Sequence, residues 1–92
     1  MKWSTSSKEF ENFLKFERNL SKNTISGYLS DLKKLIDYLV KVKLNIKPSE
    51  ITTDIIRGFI YSESKKIKSS TQGRLISSLN LFFDYLILEK II

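Results

Sequence analysis

One proline, Pro48, and three glycines, Gly27, Gly58 and Gly73, are the only strong chain breakers in 92 residues. A fold of many short strands needs turn chemistry roughly every 8–12 residues, so this chain is confined to a few long helices joined by polar loops. The apolar spacing agrees. Ile25, Tyr28, Leu29, Leu32, Leu35, Ile36 and Leu39 recur at steps of three and four, a single stripe about four turns long. Ser21 or Asn23 is expected to cap this second helix. Ahead of it, Ser6-Ser7-Lys8-Glu9 has capping-box spacing. A first helix is therefore expected after Ser6, carrying Phe10, Phe13 and Leu14 and stopping near Asn19.

A polar loop from Lys41 through Pro48 to Glu50 leads to Thr52, the expected cap of a short third helix with Asp54 in its first turn and Ile55, Ile56, Phe59 and Ile60 facing inward. After the Lys65-Lys66-Ile67-Lys68 run, a fourth helix is predicted from about Thr71 to Lys90. Its inner arc comprises Leu75, Ile76, Leu79, Phe82, Phe83, Leu86 and Ile87. Four amphipathic helices are enough to close one core, so the expected fold is an all-α, compact four-helix bundle occupying residues 1–92 as a single domain.

Neither cysteine nor histidine occurs. That excludes disulfides, thiolate zinc sites and the Ser-His and Cys-His nucleophile pairs. No Gly-rich phosphate loop is present, and the ten carboxylates are scattered among lysines as solvated ion pairs. A complete enzyme is not expected, and no cofactor or metal is implied. No apolar run approaches the roughly 20 residues of a membrane span, and no greasy leader follows Met1. The expectation is a cytoplasmic chain without a membrane partner.

Charge points to a polyanion. Sixteen Lys and Arg against ten Asp and Glu give +6. On a helical wheel, Asn23, Gly27, Ser30, Lys34 and Lys41 fall opposite Leu32 on the second helix. Ser70, Arg74 and Ser77 fall opposite Leu79 on the fourth, just beyond Lys65, Lys66 and Lys68. A helix N-terminus flanked by small hydroxyl residues and lysines suits a phosphate. Arg74, one turn in, reaches either a phosphate or the O6/N7 edge of a guanine. The same serines and Thr71 serve equally as helix caps, with Arg74 as a solvated side chain dispensable to the fold. Phe10, Phe13, Phe59, Phe82 and Phe83 have core spacing rather than the pattern of a base-stacking platform. Trp3 lies outside the expected first helix, either lidding the core or free.

Three strings read together resemble a known family: Leu20-Ser-Lys-Asn23-Thr24-Ile-Ser-Gly-Tyr28-Leu-Ser-Asp31-Leu32, then Ile51-Thr-Thr-Asp54-Ile55, then Arg74-Leu-Ile-Ser77-Ser-Leu79-Asn-Leu-Phe82-Phe83-Asp-Tyr85-Leu86. Over roughly residues 9–90 the chain is similar to the N-terminal core-binding domain of phage integrases and Xer-type tyrosine recombinases. The resemblance implies a SAM-like, four-helix domain excised from a longer recombinase. Such a domain grips one side of a recombination site in double-stranded DNA through its second and fourth helices, and the catalytic domain lies elsewhere. It marks Asn23, Thr24, Gly27, Ser30, Ser70, Thr71, Arg74 and Ser77 as the DNA face, to which the charge pattern adds Lys34, Lys66 and Lys68. Where family members often carry Arg or Lys, this chain has Leu29, Ser30 and Asn80. The competing reading is a basic helical protein-interaction module without DNA binding. Leu81, Tyr85 and Leu88, on the outer side of the fourth helix, are the expected contact for another protomer or for a catalytic domain.

Overall fold

A computed structural model describes residues 2–90 and contains four α-helices: α1 (Trp3–Asn12), α2 (Lys22–Lys41), α3 (Thr53–Ser64) and α4 (Ser69–Leu88). The all-α expectation holds. Helix α2 starts at Ser21, whose Oγ accepts from the Thr24 amide at 3.2 Å. Thr52 caps α3 in the same way, accepting from the Ile55 amide at 3.3 Å. Both are ordinary side-chain caps that satisfy an amide the first turn leaves unpaired. The connection between α2 and α3 tightens into one 3-10 turn, Pro48–Glu50, in which Glu50 Oε1 accepts from the Lys47 amide at 2.8 Å.

Two helix starts differ from expectation. Helix α1 begins at Trp3 rather than after Ser6, and Ser6 is buried inside it, so the capping box does not form. The reason is Trp3 itself. Its ring stacks on Phe82 at 6.0 Å and its Nε1 donates to the Ile46 carbonyl at 2.8 Å. Anchoring a large ring at both its apolar and polar ends outweighs the preference of a serine for a cap position. Helix α4 begins at Ser69, with Lys68 before it and no side-chain cap. Ser70 and Thr71 therefore lie within the first turn instead of capping it.

Beyond Asn12 the first helix widens into a π-helical turn, Phe13–Glu17, in which the Arg18 amide bonds the Phe13 carbonyl at 3.1 Å. The extra residue turns both Phe13 and Leu14 into the core and leaves Phe16 71% exposed. Asn19, at φ 51°, ends the helix in the left-handed conformation that asparagine tolerates.

Helix α4 packs along α2 and against α3, while α1 lies against α2 and sends its rings to α4. Phe82 is the hub. Phe10 meets it edge-on at 5.2 Å, and Tyr85 lies 5.9 Å away. Tyr85, expected on the outer side, is 1% exposed because α1 covers that face. Its hydroxyl donates to Glu9 Oε2 at 2.8 Å, and burial followed by that hydrogen bond raises its pKa above the usual tyrosine range. Ile76 and Ile87, expected inside, are 38% and 60% exposed. The arc of α4 that faces the core is thus rotated towards Leu75, Ser78, Leu79, Phe82, Tyr85 and Leu86.

Gly73 sits inside α4 with nothing within 4 Å of where a Cβ would stand. Gly73→Ala is expected to raise stability by about 0.5–1 kcal/mol, because only backbone freedom is lost at glycine. Thermal melting checks it.

Candidate nucleic-acid interface

The polar faces of α2 and α4 meet each other at their crossing, and a carboxylate lies between them. Asp31 is 0% exposed. Its Oδ1 accepts from Arg74 Nη2 at 2.7 Å, and its Oδ2 accepts from Arg74 Nε at 3.1 Å. The Ser78 hydroxyl lies 3.1 Å from Oδ2 and 2.8 Å from the Leu75 carbonyl, so its one proton is shared. Lys34 Nζ stands 4.0 Å from Oδ1. The bidentate bond holds Arg74 more firmly protonated than usual, against a smaller opposing cost of burial.

This corrects two expectations. Asp31 is not a solvated carboxylate, and Arg74 is not free of the fold. A signal for Asp31 was available: it stands four residues before Leu35 and three after Tyr28, on the apolar stripe itself. A carboxylate placed there needs a buried partner. Ser78 carried the same signal, lying among Leu75, Leu79 and Phe82.

The other marked residues divide. Gly27 lies beneath Arg74, whose Nη1 is 3.5 Å from the place a Cβ would occupy. Lys34 lines a cleft of about 210 Å³ between α2 and α3 together with Lys41 and Lys66, and Lys66 also pairs with Glu63 at 3.5 Å. Thr24 is engaged locally, its Oγ1 accepting from the Ser21 hydroxyl at 2.9 Å. Asn23, Ser30, Lys68, Ser70 and Ser77 are exposed, whereas Thr71 is half-buried in the first turn of α4. The structure thus brings Gly27, Lys34 and Arg74 together around Asp31, and it joins Lys34 to Lys66 across the cleft.

Charge is unevenly spread along the chain. Residues 22–74 hold eleven of the sixteen cations and five of the ten carboxylates, hence the whole excess of six. The segment before carries +1 and the segment after −1, so together they cancel. Among the described residues no cluster of carboxylates is arranged to hold a metal, and no helix is long and apolar enough to cross a membrane.

The model of the phage integrase N-terminal SAM-like domain matches residues 8–90. The chain belongs to that family. This SAM-like domain is 38% identical over 86 residues to the tyrosine recombinase XerC of Leptospira interrogans, covering 92% of this chain and 27% of that protein. It is 37% identical over 84 residues to the tyrosine recombinase XerD of Oceanobacillus iheyensis, covering 90% and 28%. With XerD of Chlorobaculum tepidum the identity is 32% over 90 residues, covering 97% and 29%. The SAM-like domain therefore spans little more than a quarter of the length of these curated relatives. No solved structure gives a significant match.

Proposed function

We propose that this SAM-like domain is the DNA-gripping N-terminal part of a tyrosine recombinase, seating one side of a recombination site on the face formed by α2 and the start of α4. The observation that carries the reading is that the entire cationic excess lies within residues 22–74, the segment that runs from α2 through α3 to the start of α4 and includes Lys34, Lys66, Lys68 and Arg74. Backbone phosphates meet Lys34, Lys66 and Lys68. The exposed Asn23, Ser30, Ser70 and Ser77 are small enough to let a groove wall approach. Cleavage and strand joining belong to other parts of such a protein, since this chain offers no residue set that both activates a phosphodiester and accepts a covalent link.

Titration against duplex DNA at several salt concentrations tests the proposal. With about four phosphates neutralised, affinity is expected to fall roughly 10²-fold between 50 and 200 mM salt. No covalent adduct is expected to form. Absence of binding at low salt, or equal binding to anionic vesicles, contradicts the proposal and favours a protein- or surface-interaction module.

Of the expected protomer contact, Leu88 is exposed and Leu81 half-buried once Tyr85 is removed from it, and Ile87, expected inside, adds to the exposed end of α4.

A further inference from the structure

We infer that Asp31 is a positioning residue for base recognition: it fixes the Arg74 guanidinium in one plane and leaves the Nη1/Nη2 edge for the O6/N7 edge of a guanine. This rests on the DNA-binding proposal above and deepens it. Arg74 has five N–H donors, and Asp31 takes one from Nε and one from Nη2. Nη1 makes no hydrogen bond among the described residues, and the side chain keeps 44% of its surface exposed. The end-on edge is therefore intact, and the order it needs has already been imposed by folding.

Two observations favour a base over a phosphate. The first is charge. A buried carboxylate 2.7 Å from the guanidinium cancels most of its field, which makes the pair a weak anchor for a phosphate but leaves its donors directional. Lysines already crowd the same face for phosphate contact. The second is contrast with the other arginines. Arg18 lies over the Phe13 ring and pairs with exposed Asp84 at 3.6 Å, and Arg57 is exposed on α3, so among the described residues only Arg74 has two hydrogen bonds fixing its plane. Gly27 completes the arrangement by letting the guanidinium lie close over α2, with Nη1 and Cζ 3.5 and 3.7 Å from where a Cβ would stand.

The test is selection of bound duplexes from a randomised pool by the 92-residue chain, then by Asp31→Asn and Gly27→Ala. The wild type is expected to enrich one position dominated by guanine. Replacing that guanine with 7-deazaguanine, which lacks the N7 acceptor, should weaken binding roughly tenfold. Asp31→Asn removes a negative charge, so its affinity for the unselected pool should hold or rise while the guanine preference collapses. Gly27→Ala places a methyl in ordinary contact with Nη1, Cζ and Cδ without displacing them and improves helix propensity, so as the control it should melt no lower than the wild type and keep the preference. Should Asp31→Asn fail to fold, the 7-deazaguanine measurement on the wild type carries the decision. A pool bound without any guanine-dominated position, or a preference that folded Asp31→Asn retains, overturns the inference and leaves the DNA-binding proposal standing. A deaza substitution without effect assigns Arg74 to a phosphate and also overturns it. Failure of the wild type to bind any duplex at low salt defeats the DNA-binding proposal and the inference together.

Discussion

Arg74→Ala is expected to lower the stability of this domain by about 3 kcal/mol, because it leaves the buried Asp31 carboxylate with only a shared serine proton and an ammonium 4.0 Å away. For a domain of this size that is a fall in melting temperature of roughly 12–24 °C. The two partners are not equivalent. Asp31→Asn leaves behind a guanidinium that is nearly half exposed and can turn to water, so its cost should be nearer 1–2 kcal/mol. The double variant Arg74→Ala with Asp31→Asn should be more stable than Arg74→Ala alone, since the stranded charge is gone. Thermal or urea unfolding of the four proteins checks the cycle. Wild-type melting of Arg74→Ala would show that the pair is formed without stabilising the fold.

Phe82→Ala is the second large effect, with an expected loss of about 3–5 kcal/mol. Phe82 is 1% exposed, and Trp3, Phe10 and Tyr85 all close on its ring within 6.0 Å. Truncation opens a cavity among rigid rings that cannot collapse onto each other, and it also removes the platform on which Trp3 starts α1. Loss of the Trp3 environment, read by fluorescence, should therefore accompany the loss of stability. Phe16→Ala is the control. That ring stands in solvent, and its removal should change stability by no more than about 0.5 kcal/mol. Equal effects at Phe16 and Phe82 would contradict the placement of the core.

The fold was largely legible because each helix of the bundle wrote its own apolar stripe. The stripe of α2 and the caps Ser21 and Thr52 stand where local rules put them. Failures came where a distant contact outweighed a local preference. Trp3 extends α1 through contacts with Phe82 and Ile46, and neither is visible within one turn of sequence. The core arc of α4 was misplaced because its C-terminal half is apolar all round. Only the approach of α1 decides that Tyr85 goes in and Ile87 stays out. At the candidate interface, a wheel drawn for each helix separately turned both polar faces to solvent. Two helices that cross bury part of such faces against each other, and Arg74, drawn over Gly27 onto the buried Asp31, is the residue that shows it. Lys34 on α2 and Lys66 in the turn after α3 share a cleft that no single-helix reading contains.

The most direct test of the central claim is a titration of the isotopically labelled domain with duplex DNA at low salt, followed amide by amide by NMR. The account predicts that the perturbed amides cluster on residues 23–34 and 66–77, with Gly27, Ser30, Ser70 and Arg74 among the largest shifts and α1 unmoved. Perturbations centred instead on Phe16, Ile87 and Leu88, or none at any DNA concentration, would contradict it.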